Sequence, residues 1–359
     1  AVFNGGRTIE AVEAVCGGEG VEQTLRGLES LLNINLLFQE PGPGGESRFY
    51  LLETLHDYAR ERLRESGEER RFKNRHLDYY LQVVEEMAPG YTERRLFDLF
   101  RQTDAEMDNI KTAFEWAMAS EQIEKAARLL TAVNYYLRYQ TENLVEGYRL
   151  ANQLLPYVEQ ISAAYRVLFL IGASELAFHN NDLDSYHHLA RQAVCLAHNT
   201  GDKNLVAWSL TQMIDCSEDA EEIEQSIKYG EESLALFSEL GNKQGMAYAL
   251  NRLGEVYKLG GELEQAKQVY EASLALCKET GDIFREIILM ENLGLVAYLE
   301  GDYERAKAFL MYVLSEDYLA RSMRWVVCMF AELSGPMACL GEPLKAARIL
   351  GGCHGLMSE

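Results

Sequence analysis

The sequence predicts an all-α chain: a superhelix of stacked helical repeats, preceded by a small module that carries a β-hairpin. Three observations predict it. Glycine followed by an acid or amide recurs at Gly201-Asp202, Gly241-Asn242 and Gly281-Asp282, each copy 40 residues after the last. Packing residues keep the same register, with Leu196, Leu236 and Leu276 in one column, Ala193, Ser233 and Ser273 in another, and Leu170, Leu210, Leu250 and Met290 in a third. The first 70 or so residues differ in texture, with apolar runs on both sides of Pro41-Gly-Pro-Gly-Gly45. A fixed period of about 20 to 50 residues means units that cannot bury their apolar faces alone and must stack.

The elements follow in order. Thr8 can cap a helix to Cys16, and a second amphipathic stretch runs from Val21 to Leu32. Leu36-Leu37-Phe38 and Arg48 to Leu52 read as two strands joined by a turn, so residues 1–68 form a winged-helix module. Glu53 to Glu65 is helical again, with Ser66-Gly67-Glu68 as its stop. Residues 69–160 read as a helical linker with irregular repeats. There Asp104 to Ala119 places Met107, Ile110, Ala113, Phe114 and Ala117 on one face, and Ile123 to Tyr139 does the same with Ala126, Ala127, Leu130 and Val133. Pro156 ends that region. Residues 161–359 are expected as 40-residue helix pairs with turns such as Asn180-Asn-Asp182, Gly260-Gly-Glu262 and Gly301-Asp302, while Gly335-Pro336 and Gly341-Glu-Pro343 are expected to interrupt the final copy.

Composition narrows the function. With 48% apolar and 25% charged residues the 359-residue chain reads as folded and soluble, and its net charge of -22 opposes both nucleic acid and anionic membrane. No run approaches the 18 to 20 apolar residues that span a bilayer. Seven scattered cysteines without a CxxC pair predict a reduced, cytoplasmic setting. Residue 1 is not methionine and the array ends without a polar cap, so a segment of a longer protein is expected.

Leu250 to Leu276 resembles a tetratricopeptide repeat, with Leu253-Gly254, Tyr257, Ala266, Tyr270 and Ser273 where that family places large and small packing residues. Met290 to Leu310 repeats it with Leu293-Gly294 and Ala306. Ala1 to Gly6, Ile9 to Cys16 and YLLETLHDYARERLRESGE, with His76 beyond, resemble the winged-helix end of bacterial NB-ARC or STAND-type signal-transduction ATPases. Asp108-Asn109 through Trp116, Glu146-Gly147 and Ala346 to Gly352 are similar to that family's helical arm. The resemblance implies a nucleotide-binding domain upstream, a transcriptional role for the whole protein, and a sensor or partner-binding role for the arm. An interaction scaffold without switching is the alternative. The histidine that senses ADP in related plant receptors aligns with Leu52. GxxxxGK[ST] is absent, so no ATPase or other enzymatic activity is expected of this chain.

Candidate sites are few. The helix Val21 to Leu32 offers Arg26 against Glu22 and Glu29, a poor set for reading DNA, and the arginines between Arg60 and Arg75 alternate with acids as at a solvated junction. No histidine or cysteine spacing suits a metal, and no cofactor is expected. One pattern points to partners: Glu175, Asp215 and Glu255 share a phase in successive first helices, and Trp208 and Tyr248 share a neighbouring one. With Thr211 and Asn251 they would line a concave groove, an aromatic wall beside an acidic row, for a protein, a peptide or a small effector.

Overall fold

The computed structural model describes residues 1–17, 21–92, 95–214, 220–315 and 323–357. The chain forms two compact units, one of residues 1–91 with 95–176, the other mainly of 177–359.

In the first unit α1 (Ile9–Cys16) and α2 (Val21–Asn33) precede the antiparallel pair β1 (Leu37–Pro41) and β2 (Ser47–Leu51), in which Gln39 faces Phe49. The Thr8 hydroxyl accepts from the Ala11 amide at 3.3 Å and so caps α1. Arg7 bridges to Phe49, adding a third short edge, and Leu28, Leu37 and Phe49 form the small core beneath. Next come α3 (Glu53–Glu65), α4 (Glu69–Met87), α5 (Leu96–Ala119), α6 (Ile123–Tyr139) and α7 (Thr141–Leu154). Pro156 lies in a 3-10 segment, Leu155–Gln160, and α8 (Ala163–His179) follows.

The second unit is built of helix pairs. The first helices are α10 (Lys203–Thr211), α12 (Lys243–Leu259), α14 (Ile283–Leu299) and α16 (Met323–Cys339). The second helices are α9 (Leu183–Thr200), α11 (Ala220–Glu239), α13 (Leu263–Thr280), α15 (Tyr303–Ser315) and α17 (Pro343–Met357). The recurring glycine-acid dipeptide is the turn between pairs. Gly201, Gly241 and Gly281 have φ of 71, 66 and 77°, the left-handed conformation that ends a helix and that a Cβ disfavours. The next residue starts the following helix: Asp202, Asn242 and Asp282 accept from the amides of Asn204, Gly245 and Arg285 at 2.8, 2.9 and 3.0 Å. One dipeptide thus stops one helix and caps the next.

Close packing explains the small columns. A Cβ on Gly254 would come within 2.4 Å of the Tyr270 ring, so the glycine lets α12 and α13 approach around that ring. Ala266 and Ala306 are fully buried at equivalent points, and Ser273 is buried with its hydroxyl donating to the Ala247 carbonyl.

The expected interruption of the final copy is not found. α16 runs through Pro336, Gly335 faces Tyr298, and Gly341 (φ 84°) with Glu342 makes the same turn as Gly261-Glu262 and Gly301-Asp302, at the same 40-residue spacing. Proline costs a helix one amide bond, and packing on both sides compensates when the helix is already held.

Candidate partner-binding face

Within the second unit, successive first helices pack on each other more closely than successive second helices do. The first-helix side is therefore the inner side of the stack. Trp208 on α10 and Tyr248 on α12 meet there with ring centroids 5.5 Å apart, and Trp208 also sets its edge against Phe237 at 5.0 Å. Both rings are half-buried rather than exposed. Arg285 lies 4.7 Å from the Tyr248 centroid and is anchored by Asp282 at 3.2 Å, with the pair almost wholly buried.

The remaining expected residues are placed less simply. Asn251 is buried, and its amide donates to Glu255 at 3.2 Å. Glu255 is not a bare acid, because Arg252 one turn away pairs with it at 3.1 Å. Thr211 is fully buried and its hydroxyl donates to the Trp208 carbonyl, so it braces the helix and does not reach a ligand. Glu175 belongs to the first unit, where Arg138 neutralises it between the rings of Tyr135 and Tyr139. Asp215 lies outside the described residues. Of the expected acidic row, Glu175 and Glu255 are each balanced by an arginine, since a half-buried carboxylate without a counter-charge costs several kcal/mol.

Sequence reasoning missed the neighbouring column. Gln212, Arg252, Asn292 and Glu332 stand 40 residues apart, a polar residue in each of these four copies. That regularity was the available signal. Arg252 donates to the Tyr186 hydroxyl at 3.3 Å and to the Ile214 carbonyl, and it faces the Phe178 ring. Asn292 donates to Asn251 at 3.3 Å and accepts from Lys258 at 2.9 Å. Glu332 ends the row with one carboxylate oxygen buried and unbonded, and burial pushes its carboxyl above the ordinary range against the pull of Lys258. Residues 177–359 carry 28 acidic against 15 basic side chains, a net -13, so the face sits in a negative field.

A second cluster ties the hairpin-bearing N-terminal residues to the helices after them. Arg48 of β2 reaches Glu106 of α5 at 2.6 Å and the carbonyls of Gly6 and Ala105, both at 2.9 Å. Tyr80 and Asn109 complete the carboxylate's bonding at 3.1 and 3.2 Å, and Asn109 also holds the Asn4 amide and Gly6 carbonyl. His76 lies against Phe3 and Asn109, and burial lowers its pKa to about 4, so it is neutral near pH 7. Arg75 caps the end of α1 through the Val15 and Gly17 carbonyls. Among the described residues no group of three or more His, Cys, Asp or Glu is placed to hold a metal, and no helix is long and apolar enough to cross a membrane.

Residues 205–279 and 246–314 match the family model of the tetratricopeptide repeat. The fold is mostly helical, with tetratricopeptide-like repeats and a small N-terminal β-hairpin. A Rap protein complexed with Competence and Sporulation Factor aligns with a TM-score of 0.58 at 11% identity, over 79% of this chain and 77% of that one. Aspartyl phosphate phosphatase F from Bacillus subtilis gives 0.54 at 13%, over 94% and 81%. A STAND protein with a tetratricopeptide repeat sensor from Pyrococcus horikoshii gives 0.51 at 16%, over 97% of this chain and 54% of that one. Identities so low carry the fold alone. In sequence, provisionally named HTH-type transcriptional regulators of Mycobacterium tuberculosis and Mycobacterium bovis are 31% identical over 136 residues. The aligned part is 37% of this chain and 15% of theirs, so the chain is a distant relative that spans only a small share of their length.

Proposed function

We propose that this chain is the winged-helix and partner-binding portion of a larger STAND-type signalling ATPase that regulates transcription. Its inner first-helix face takes a basic or amphipathic segment of a protein or peptide; a small effector is the lesser fit. The observation that carries the reading is the half-buried Trp208–Tyr248 pair on the first-helix side of a unit of net charge -13. Aromatic area supplies binding free energy, and the negative field selects basic partners and speeds their approach. The resemblance of residues 1–80 to the winged-helix end of such ATPases, and the distant likeness to named transcriptional regulators, support the wider role. Catalysis and ATP hydrolysis belong to the rest of that protein, and DNA contact is not assigned to α2, where Arg26 already pairs with Glu22 at 2.6 Å. The reading places the protein in the cytoplasm.

The test is a panel of short basic amphipathic peptides titrated against the chain by fluorescence anisotropy at two salt concentrations. Micromolar binding that weakens with salt, and that falls in Trp208→Ala and Tyr248→Phe variants of unchanged fold, is expected. Equal binding by well-folded variants would remove the inner face from the proposal.

A further inference from the structure

We infer that the cavity where α3, α4 and α5 meet is a binding site for a small phosphate-bearing molecule. The cavity has a volume of about 430 Å³, within the range of small-molecule sites, and Ala1 and Val2 are among the residues that line it. It is distinct from the inner repeat face and lies wholly in the first unit.

Charge sets it apart. In a chain of net charge -22, cations are expected to find acids locally, and most of the neighbours do. Arg62 pairs with Glu65 at 2.8 Å, Arg71 with Glu68 at 3.0 Å, and Arg75 caps α1. Arg60 and Arg64 line the cavity instead, and their side chains make no ion pair or hydrogen bond with any described residue. They stand one turn apart on α3, so their side chains project along the same face toward the same space. Lys73 adds a third cation from α4; Glu69 partly balances it at 2.8 Å, and its ammonium lies 4.8 Å from the Trp116 ring centroid. Glu115 also faces the cavity, which leaves the wall net positive by one charge.

Two guanidinium groups one helical turn apart, with an ammonium from α4 in the same lining, can together hold a tetrahedral oxyanion. A carboxylate would use one fork, whereas a phosphate dianion can use both and outweigh Glu115. Trp116 and Leu63 supply an apolar wall, so the ligand that fits carries an apolar or planar part beside its phosphate. Because the two arginines are exposed and unbonded, ordering them costs side-chain entropy, and affinity is modest.

The test uses phenyl phosphate and inorganic phosphate as probes in calorimetric titrations of the whole chain at low ionic strength. Phenyl phosphate is expected to saturate with a Kd below about 1 mM and to bind more tightly than inorganic phosphate. The Arg60→Ala/Arg64→Ala variant, which loses no side-chain bond to the described residues, should keep its melting temperature and weaken binding by about tenfold or more. Arg70→Ala, outside the cavity lining, should change nothing. No saturable binding, or undiminished binding by the double variant, overturns the site; equal affinity for the two probes removes the apolar wall from it. Basic peptides on the inner repeat face should bind the double variant as before, so the two proposals fail separately.

Discussion

Replacing Arg48 by methionine should loosen the hairpin-bearing N-terminal residues from α4 and α5 far more than a surface charge deletion would. The guanidinium is 4% exposed and serves three acceptors, namely Glu106 and the carbonyls of Gly6 and Ala105. Methionine fills most of the volume but leaves Glu106, itself 11% exposed, with two neutral donors in place of a cation. Two carbonyls are left without their donor as well. Breaking a buried pair from one side costs about 3–5 kcal/mol, and that is the expected loss for this unit. Arg48→Met/Glu106→Gln removes the stranded charge as well as the pair, so it should recover at least about 2 kcal/mol relative to the sum of the single changes. The assay is native-state hydrogen exchange read on α4 and α5, since two units need not unfold as one. A loss below about 1 kcal/mol for Arg48→Met, or single changes that simply add, would refute the claim that this network joins the module to the helices.

Three further outcomes follow from the same geometry. His76 has a pKa of about 4 in the fold against about 6.5 unfolded, so the unfolded chain binds the extra proton first and stability falls as pH drops from about 6.5 to 4. The loss from this group approaches about 3 kcal/mol, and urea midpoints of His76→Gln should decline less steeply across that window; parallel curves would contradict it. Asp282→Ala should cost about 2–4 kcal/mol because cap and buried ion pair go together, while Asp202→Ala, a cap on an exposed residue, should cost about 1 kcal/mol. Thermal melts that reverse this order would sink the argument. Trp208→Ala should cost about 2 kcal/mol in stability through lost packing on Phe237 and Tyr248, so its binding must be measured well below its own melting point; a variant as stable as the parent would mean the ring packs on nothing that matters.

Periodicity made the fold legible. Glycine, cap and small-residue columns each have one local cause, and local causes are visible in sequence: Gly281 needs positive φ, Asp282 needs an amide to cap, Gly254 needs to admit a ring. The expected break at Pro336 was wrong because a proline signal is local too, whereas the packing that overrides it, such as Gly335 against Tyr298, is not. The site was less legible for a related reason. Phase along a helix tells which side chains point inward, but not which are consumed by neighbours from other helices. Thr211 turned back onto its own backbone, and Arg252 reached Glu255, a pairing that an acid-only column could not reveal. The Arg48–Glu106 pair spans 58 residues and two kinds of element, so no periodicity announces it.

The turn and inner columns differ in what they keep constant. At the turns the repeats hold chemistry constant, glycine then acid or amide, since any departure would cost each junction a cap or a left-handed residue. At the inner column 212, 252, 292 and 332 the residues are glutamine, arginine, asparagine and glutamate: all polar, all different. Packing alone would favour one repeated apolar solution there, because every copy presents the same local backbone to its neighbour. Gln212 and Asn292 are buried, and Arg252 is already held by Glu255, the Tyr186 hydroxyl and the Ile214 carbonyl, so the polar row is spent on hydrogen bonds between neighbouring helices. Glu332 keeps one oxygen without a bond among the described residues, and that oxygen is buried. Residues that differ from copy to copy in such a row specify which repeat packs on which. Exchanging Arg252 and Glu332 should then lower the melting temperature, and an exchange that leaves it unchanged would show that the row does not hold the helices together.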